Sequence, residues 1–584
     1  MNKKAKLSIF ILSCLAVLCL LPALLPQVQN AAVSFVETLK NDDINDVFWK
    51  QQMFAFASLG IIFLLILNIT LFTHKGIETL EQIKNDLLKI KELIIKNKKY
   101  LFILFSLYFL GYFSIIRANF WNFAIDDLPR QMEGSREWVN FYRYFAEIGS
   151  IFIHTSMNIF DIAPLTQFIA LILVSFASFF AISIFSNNIF SIKTCIASLP
   201  IGLFPYFLSN YSYRYDSPYM ALSLCISIVP FLFAENLKTY IFSSVVCLFI
   251  MCTSYQASSG IYIFMAILIF VKFSLFEKKS TKDLFIFTIT SILCYAFTLL
   301  LFSFLFIEQA QGGSYVDESL NISKIIPNTV IYLNSIFSGL GKSSVLSFSL
   351  TTILFFIILS IKKSNISKTI SSLIIILAIL VSIPFTFGSY LALGRPEFIP
   401  RTFIGIGVFI GCISIFATVL MKDSNRIMRI ITLISCFCLS YSTIAFAFAF
   451  GNAHYNQKEY IKFRGTILAQ DLSECITQSN EIIELLFVND IGYAPSVEVL
   501  KDTYPLISKA IDKGFSGDRE SEFILESLNL VSLKEKQNHN FKNEDYPILK
   551  ETAYHKIQGI DNRYLITFKV PRIKTIKTRS FIQE

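Results

Sequence analysis

Long apolar runs, separated by short polar segments, follow one another along most of the chain. A run of about 18 or more apolar residues is long enough to cross ~30 Å of hydrocarbon as a helix, and roughly thirteen such runs can be counted, several of them short. The pattern predicts a helical protein that crosses a membrane many times. The runs lie near residues 8–27, 52–73, 100–117, 165–185, 194–208, 217–234, 240–256, 259–276, 284–307, 346–361, 369–387, 403–421 and 430–450.

One polar interval between predicted spans has a helical periodicity of its own. In the segment GIETLEQIKNDLLKIKELIIKNKKY, apolar side chains recur at steps of three or four, with lysines on the other face. This pattern predicts an amphipathic helix that lies on the cytoplasmic leaflet of the membrane. A docking site for a cytoplasmic partner is the alternative interpretation. The apolar positions are Ile77, Leu80, Ile83, Leu87, Ile90 and Ile94.

After residue 450 the pattern changes to that of a water-soluble segment. Helices are predicted over Tyr460–Cys475 and Val497–Ile511, and the stretches IIELLFVND and RYLITFKV predict two strands. The whole chain is therefore predicted to be an α-helical polytopic membrane protein. It has N-terminal spans and the amphipathic helix in 1–99, a membrane domain in 100–450, and a small α/β domain outside the membrane in 451–584.

Composition and charge agree with a membrane protein. Of 584 residues, 54% are hydrophobic and 16% are charged, which excludes a string of soluble domains. The net charge of +9 alone could suggest nucleic acid, but the basic residues gather in alternate loops, a pattern typical of cytoplasmic loops. We therefore expect no nucleic-acid partner, a cytoplasmic N-terminus and an external C-terminal tail. The basic residues of these loops are Lys3, Lys4, Lys6, Lys75, Lys84, Lys89, Lys91, Lys96, Lys98, Lys99, Lys278, Lys279, Lys282, Lys362, Lys363, Lys368, Lys422, Arg426 and Arg429.

The first 30 residues share features with signal peptides, because a basic start precedes an apolar core and QNAAVS offers small residues for cleavage. The apolar core is long for a signal peptide, so we expect an uncleaved span. Loss of that span would leave the predicted orientation of the later spans unchanged.

Cysteine and histidine positions predict no structural metal. Of eleven cysteines, all except Cys475 lie in or at the edges of apolar runs, where they behave as small hydrophobes. A single cysteine outside the runs leaves no disulfide framework. The five histidines are scattered, and Cys436 and Cys438 have a spacing unlike that of a zinc site.

Two adjacent carboxylates, Asp126 and Asp127, lie in the segment RANFWNFAIDDLPRQMEGSREWVNFYRYF. By the lysine distribution this segment belongs to the first outer loop, residues 118–164. Adjacent carboxylates repel each other when both are ionised, so the pKa of one tends to rise and that group becomes a competent general base. The pair therefore predicts a catalytic base in an interfacial pocket, and a solvated loop turn is the alternative.

Arginines in the outer loops indicate an anionic ligand, because a planar guanidinium binds phosphate in bidentate fashion. Arg136 and Arg143 are seven residues apart and share one face of a predicted helix over 128–149. Salt bridges with glutamates of the same helix are the alternative. A further pair of arginines lies in the proline-stiffened segment GRPEFIPR. The candidate phosphate-binding residues are Arg130, Arg136, Arg143, Arg395 and Arg401.

Two other outer segments complete the candidate site. SNYSYRYDSPY places Arg214 and Asp216 among tyrosines, which are also common in interfacial belts. The segment 308–345, rich in Gly, Ser and Asn, suits either a mobile lid or a simple connector. The spans contain almost no ionisable residues, whereas pumps and many transporters place such residues in mid-membrane. The polar chemistry is thus predicted at the outer edge, which favours an enzyme that uses a lipid-linked donor.

The first outer loop resembles that of the bacterial and phage type-two Gtr glucosyltransferases, which belong to the wider C-class of membrane glycosyltransferases. The residues that carry the resemblance are Asp126, Asp127, Arg130, Gly134, Trp138 and Arg143. The likeness extends over residues 100–450. It implies a GT-C fold and an inverting transfer of a hexose, often glucose, from a polyprenyl-phosphate carrier such as undecaprenyl phosphate. The implied acceptor is a surface polysaccharide such as the O-antigen of lipopolysaccharide, on the periplasmic face of the bacterial inner membrane.

Carried over to this chain, the resemblance implies that an aspartate of the first outer loop is the general base, and we favour Asp126 narrowly over Asp127. The arginines named above are candidates to neutralise the leaving phosphate, and Trp138, Arg214 and Asp216 are candidates to contact substrate. Some C-class enzymes use a divalent cation and others do not; we expect no metal and no cofactor. A polysaccharide polymerase and a flippase or exporter of lipid-linked sugar are the alternative functions.

Overall fold

The structure, a computed structural model, describes residues 74–120, 126–306, 317–476, 483–527, 546–560 and 562–570. The predicted spans near 8–27 and 52–73 lie outside these residues. In chain order the helices are α1 (His74–Lys96), α2 (Lys98–Ala118), α3 (Leu128–Glu133), α4 (Tyr144–His154), α5 (Leu165–Ser186), α6 (Ile192–Ala197), α7 (Pro200–Leu203), α8 (Pro205–Ser212), α9 (Ser217–Ile228), α10 (Leu237–Cys252), α11 (Ser259–Leu275), α12 (Thr281–Phe306), α13 (Ile325–Leu340), α14 (Ser344–Lys363), α15 (Lys368–Phe385), α16 (Ile404–Leu420), α17 (Arg426–Cys475), α18 (Pro495–Thr503), α19 (Pro505–Ala510) and α20 (Asp518–Ser527). The strands are β1 (Asp317–Leu320), β2 (Leu393–Arg395), β3 (Glu484–Val488), β4 (Ile548–Glu551), β5 (His555–Ile560) and β6 (Arg563–Phe568).

Eight helices of the described residues are long and apolar enough to cross a membrane. Hydrocarbon offers no partner for backbone N–H and C=O groups, so a chain that crosses it satisfies them within a helix. These results confirm a mostly helical protein with several helices that could span a membrane. The eight helices are α2, α5, α11, α12, α14, α15, α16 and α17.

The predicted span near 194–208 is broken. It forms α6, α7 and α8, with a bend of 62° at the break between residue 203 and residue 205. Pro200 and Pro205 begin the second and third pieces, because proline has no N–H to continue the preceding helix. Counting the bent pair as one span gives up to nine, and α9 and α10 are shorter apolar helices. The predicted number of thirteen spans is therefore not confirmed.

Side-chain contacts sort the loops of the bundle into two ends. At one end, Lys272 donates to the carbonyl oxygen of Ile184 at 2.7 Å, and Asn365 donates its backbone N–H to Leu275 at 2.8 Å. We call this the lysine-rich end, because the basic loops 276–283, 362–368 and 422–429 lie there. At the other end, Arg401 pairs with Asp126 and Arg214 with Asp161. We call this the aspartate end.

The predicted amphipathic helix is present as α1, which packs on the lysine-rich end. Ile83 and Asp86 face the bundle, and the Asp86 carboxylate accepts hydrogen bonds from Asn236 and Thr239. Leu87 is 54% exposed, so part of the predicted apolar face points away from the protein. That exposed face suits the interior of a membrane leaflet.

Helix α17 has 50 residues and extends beyond the bundle. It passes without a break through the position at which the membrane domain was predicted to end, residue 450. The bundle part packs against α2, where Gly451 allows close approach: a Cβ there would lie 2.5 Å from the backbone carbonyl carbon of Ser114. The distal part includes the predicted helix Tyr460–Cys475.

A four-stranded sheet packs on the distal part of α17. Its strand order is β3-β6-β5-β4; β3 runs parallel to β6 and the other pairs are antiparallel. The predicted strands correspond to β3 and β6. Arg464 of α17 is buried and donates to the carbonyl oxygens of Tyr554 at 2.6 Å and Lys569 at 3.0 Å, which ties the helix to the sheet. The helix predicted over 497–511 is divided into α18 and α19 at Pro505.

Part of the segment predicted as a lid or connector is helical. Residues 325–340 form α13, and Asn328 on this helix donates to the carbonyl oxygens of Leu391 and Leu393, both at 3.0 Å. On its other face, Ile326 and Val330 are exposed. An amphipathic helix anchored beside the aspartate end is the result.

Candidate active site

The first outer loop is a chain of short elements. The single helix predicted over 128–149 is wrong. Helix α3 ends at Gly134, which has φ +70°, and a 3₁₀ turn over Trp138–Phe141 is bounded by Glu137 and Tyr142, which also have positive φ. Glycine adopts this left-handed conformation without steric cost and stops the helix. Arg136 and Arg143 therefore share no helix face.

The two adjacent aspartates occupy different environments. Asp127 is fully buried, and one of its oxygens accepts the backbone N–H of Arg214 at 3.2 Å. The Asp126 side chain is 35% exposed, and it accepts a hydrogen bond from Nη1 of Arg401 at 3.0 Å. Only Asp126 thus combines a cationic neighbour with access to solvent.

Both the backbone and the side chain of Arg401 are held by neighbouring residues. Its backbone carbonyl oxygen accepts from Asn210 at 2.9 Å and from the Tyr255 hydroxyl at 3.0 Å. Its guanidinium donates to the Tyr213 hydroxyl at 2.9 Å and lies over the Tyr213 ring. Burial opposes its charge, but Tyr213 and Asp126 outweigh this effect and raise the pKa of Arg401.

Asp216 forms a buried ion pair with Arg130. Arg130 donates from Nη1 to both oxygens of Asp216 at 3.2 Å, and the Trp138 indole donates to the same carboxylate. The Arg130 guanidinium also stacks 4.7 Å from the centre of the Trp138 ring. Burial alone would raise the pKa of Asp216, but the charges of Arg130 and Arg143 bring it below its ordinary value. Asp216 is therefore a buried anion.

Arg214 forms a second buried ion pair. Its guanidinium donates to both oxygens of Asp161 and to the side-chain oxygen of Asn119. Because its backbone N–H binds Asp127, Arg214 connects the aspartate segment to the segment before α5. The predicted substrate-contacting residues Trp138, Arg214 and Asp216 are thus all buried, each in one of these networks.

The remaining predicted arginines differ in whether an acid neutralises them. Arg136 forms a salt bridge with Glu147 at 2.9 Å, but the two residues lie on different segments, whereas the alternative interpretation placed them on one helix. Arg143 stacks on the rings of Phe141 and Tyr255, with its guanidinium carbon 5.1 Å and 4.9 Å from their centres, and has no carboxylate within salt-bridge distance among the described residues. Arg395 is exposed on β2. Arg143 is therefore a cation available to a ligand.

Several residues of the site were not predicted from the sequence. Tyr213 was interpreted as part of an interfacial belt, yet it is fully buried under Arg401. Tyr255 lies in TSYQASSG, a polar interval between two predicted outer span ends, and Asp161 lies in FDIAP before α5. In each case the available signal was a polar residue in a segment predicted to lie outside the membrane. Asp161 lies 53 positions from its partner Arg214, and Tyr255 lies 146 positions from its partner Arg401. Sequence spacing does not reveal such pairings.

The residues that the structure describes contain no group of three or more His, Cys, Asp or Glu side chains that could hold a metal ion. Asp126 and Asp127 diverge into separate networks, and the other acidic side chains of the site, Asp161, Asp216 and Glu397, each contact an arginine. The expectation of a metal-independent site stays a prediction.

Comparison with known proteins identifies the family. A protein of Salmonella phage P22, described as an uncharacterized 55.3 kDa protein in the gtrB 5′ region, is 25% identical over 466 residues, which cover 74% of this chain and 90% of that protein. No solved structure matches the chain. Residues 114–418 match the family described as glucosyl transferase GtrII. Because this match extends over more than half of the 584 residues and includes every residue from Asp126 to Arg401, the chain belongs to the glucosyl transferase GtrII family.

Proposed function

We propose that this glycosyltransferase moves glucose from a polyprenyl-phosphate donor to a surface polysaccharide, the O-antigen of lipopolysaccharide, with inversion at the anomeric carbon. The reaction takes place at the aspartate end of the bundle, on the periplasmic face of the bacterial inner membrane. The observation that carries the proposal is the pair formed by Asp126 and Arg401, a partly exposed carboxylate beside a guanidinium at the edge of an apolar bundle.

Asp126 is the general base in this proposal. It accepts the proton of the acceptor hydroxyl while the oxygen attacks the anomeric carbon from the side opposite the phosphate. The bond between that carbon and the phosphate oxygen breaks, and the polyprenyl phosphate leaves with the bonding electrons. Arg401 donates a hydrogen bond to the Asp126 carboxylate at 3.0 Å and so holds it in a fixed position for the acceptor.

Arg143 and Arg401 are the arginines that support a phosphate site best. Tyr255 lies between them, because its hydroxyl binds the carbonyl oxygen of Arg401 and its ring lies under the guanidinium of Arg143. Arg130 and Arg136 pair with Asp216 and Glu147, which have no part in the proposed reaction. Arg401 pairs with the proposed base Asp126 and lies 3.9 Å from Glu397. A dianionic leaving group between two guanidiniums would gain charge-assisted hydrogen bonds as its charge develops.

Apolar surface beside the site supports a donor with a long hydrocarbon tail. Helix α12 ends at Phe306, whose ring is 4.5 Å from that of Tyr144 at the start of α4. Along α12, Phe297, Leu300 and Phe304 are exposed to the exterior of the bundle. A polyprenyl chain can lie along such a surface within the bilayer, with its phosphate near Arg143.

The proposal is tested with purified full-length protein in detergent, a panel of polyprenyl-phosphate hexoses and isolated lipopolysaccharide. We expect glucose to be transferred to the polysaccharide, and NMR of the product to show the anomeric configuration opposite to that of the donor. The Asp126→Asn protein is the negative control. Retention of configuration would contradict the proposed mechanism, and elongation of a lipid-linked oligosaccharide would indicate the polymerase alternative.

A further inference from the structure

A cavity of about 840 Å³ lies at the lysine-rich end, opposite to Asp126. Helix α1 forms one wall. The end of α5, the turn between α9 and α10, and the end of α11 form the others. Volumes of this size are typical of small-molecule sites. Nothing in the proposed reaction uses this cavity, because the reacting groups lie at the other end of the same helices.

Five polar side chains of the cavity wall are uncommitted. The side chains of Gln82, Asn85 and Asn187, and the carboxylates of Glu81 and Glu235, make no hydrogen bond or ion pair with any other described residue. Each therefore has its full hydrogen-bonding capacity available to a ligand or to water.

Both lysines of the wall are already occupied. Lys89 pairs with Asp86 at 2.9 Å, and Lys272 pairs with Glu277 at 3.3 Å and donates to the carbonyl oxygen of Ile184. The two uncommitted carboxylates leave the wall with an excess of negative charge. Anionic ligands such as phosphates and nucleotides are therefore disfavoured.

The amide side chains distinguish a cationic ligand from an uncharged, hydroxyl-bearing one. An amide presents both N–H donors and a carbonyl acceptor. An amine cation only donates, so it would leave the amide N–H groups without acceptors, whereas a hydroxyl group donates and accepts. Phe231, Phe233 and Phe273 add an aromatic part of the wall, and the apolar C–H face of a sugar ring packs against such surfaces. An uncharged, hydroxyl-rich ring matches all three features.

We infer that the cavity at the lysine-rich end binds a glycosyl group, as a second carbohydrate site of this protein. The choice of glucose as its probe rests on the proposed function. Helix α1 continues into the membrane-spanning helix α2 after a break at Asn97 and exposes Leu87, so the cavity borders a membrane surface. The glycosyl group can therefore belong to a soluble sugar, or to a lipid-linked sugar whose phosphate lies outside the cavity, among the membrane headgroups.

The experiment uses full-length protein in nanodiscs and two diazirine-bearing probes, methyl glucoside and polyprenyl-phosphate glucose. After irradiation, labelled peptides are mapped by mass spectrometry. We expect saturable labelling of residues 78–93, 183–188 or 231–236, with competition by unlabelled methyl glucoside and none by inorganic phosphate. The probe that labels at the lower concentration identifies the source of the glycosyl group.

Two variants keep the test specific. The Gln82→Leu, Asn187→Leu double variant should reduce this labelling about ten-fold, because two hydrogen-bonding side chains are lost. The matched control is Lys91→Leu, on the same helix but outside the cavity wall. Melting temperatures of both variants, and labelling at the aspartate end, show whether the fold is retained.

Failure of this inference is distinguishable from failure of the proposed function. Labelling confined to peptides near Asp126, Arg143 and Arg401 would overturn the second site and leave the transferase proposal intact. Equal labelling of the Gln82→Leu, Asn187→Leu variant and the wild type would also overturn it. Labelling of the cavity without transferase activity would support the second site and count against the proposed function.

Discussion

Asp126 and Asp127 are neighbours in the chain, and their surroundings assign them different tasks. Asp127 is buried and accepts the backbone N–H of Arg214, so it holds two outer segments together. Asp126 is partly exposed and paired with Arg401. A base must reach its substrate, whereas a buried carboxylate that accepts a backbone hydrogen bond stabilises the fold. The two residues should therefore fail in different ways.

We predict that Asp126→Asn lowers kcat about 10²–10⁴-fold, the usual contribution of a general base, without a change in melting temperature. Asp127→Asn should instead lower the melting temperature, because it alters a buried hydrogen-bond partner of Arg214. Transfer assays and thermal unfolding of the two proteins in detergent measure both effects. Wild-type kcat in Asp126→Asn would remove Asp126 as the base.

A second prediction about a single residue concerns Arg143. Arg143→Met removes a charge that has no described carboxylate within salt-bridge distance, and it should weaken donor use by about 1.5–3 kcal/mol in kcat/KM. Arg395→Gln is the control, because Arg395 is an exposed arginine of another outer segment. The measurement is kcat/KM for donor at saturating acceptor. Equal losses in both variants would argue against a phosphate contact at Arg143.

Tyr255 separates the two arginines of the proposed phosphate site. Tyr255→Phe removes the hydrogen bond to the Arg401 carbonyl oxygen and keeps the ring under Arg143, whereas Tyr255→Leu removes both contacts. We expect donor KM to rise more in Tyr255→Leu than in Tyr255→Phe, because only the former loses the cation–π contact. Identical kinetics of the two variants would show that the Arg143 stack does not assist donor binding.

Candidate residues could be chosen from the sequence, but their partners could not. Residue type and position in two predicted outer loops made Asp126 and Arg401 candidates, and the structure pairs them. Their pairing joins residues 275 positions apart, and the pairing of Arg130 with Asp216 joins residues 86 apart. Those partners place Arg401 beside the proposed base and pair Arg130 with a buried acid, a difference that the sequence does not show.

Among elements, the contact between α2 and α17 connects the helical bundle to the four-stranded sheet. Ser114 donates to the carbonyl oxygen of Ala447 at 2.9 Å, and Gly451 lies against the same turn of α2. The contact requires the absence of a side chain, because a Cβ on residue 451 would overlap the Ser114 backbone.

We predict that Gly451→Ala destabilises the protein by about 1–3 kcal/mol, the typical cost of overpacking. Helix propensity alone would favour alanine by about 1 kcal/mol, so the predicted loss opposes the intrinsic preference. The control is Gly517→Ala, where a Cβ meets no atom within 4 Å. Thermal unfolding in detergent compares the two, and a higher melting temperature for Gly451→Ala would contradict the close contact.

Helix α20 gives a pH-dependent prediction. Burial, and then the charge of Asp512, raise the pKa of Glu520 from 4.5 to about 8. Between these values the unfolded chain has lost the proton that the folded chain keeps, so stability falls as pH rises, by up to about 1.4 kcal/mol per pH unit. Below pH 4.5 both states are protonated and this contribution is fully present.

Glu520→Gln should remove most of that slope and be more stable than wild type at pH 8, because glutamine stays neutral. Glu526→Gln on the same helix is the control. Chemical denaturation of the protein at pH 5, 6.5 and 8 measures the slope directly. Parallel pH profiles of wild type and Glu520→Gln would show that the buried carboxyl group does not carry the effect.

The presence of a helix was easier to predict from the sequence than the position at which a helix breaks. Every predicted span within the described residues is helical, because hydrocarbon forces backbone hydrogen bonds inside each segment. The breaks depend on single residues, such as Pro205 in the bent span and Gly134 after α3. The strands β4 and β5 were not predicted, since β4 pairs with β5 and β5 with β6, and the local pattern does not reveal these hydrogen bonds.

At the scale of the whole molecule, contacts place Asp126 and the four-stranded sheet at the same end. Lys458 of α17 donates to the carbonyl oxygen of Asn119 at 2.6 Å, and Asn452 accepts from Arg117 at 2.8 Å. The basic loops lie at the other end. The side of the membrane that each end faces is a prediction from the lysine distribution.

Cysteine labelling tests this arrangement in intact cells with a membrane-impermeant maleimide, with unmodified protein as the background. We expect reaction of Asn140→Cys, in the first outer loop, and of Gln470→Cys, on distal α17, because both positions are exposed at the aspartate end. Lys282→Cys, exposed at the lysine-rich end, should react only after the membrane is permeabilised. Reaction of Lys282→Cys alone in intact cells would invert the protein and place Asp126 on the cytoplasmic side. Opposite behaviour of Asn140→Cys and Gln470→Cys would contradict the fold, since the contacts of Lys458 and Asn452 require one side for both.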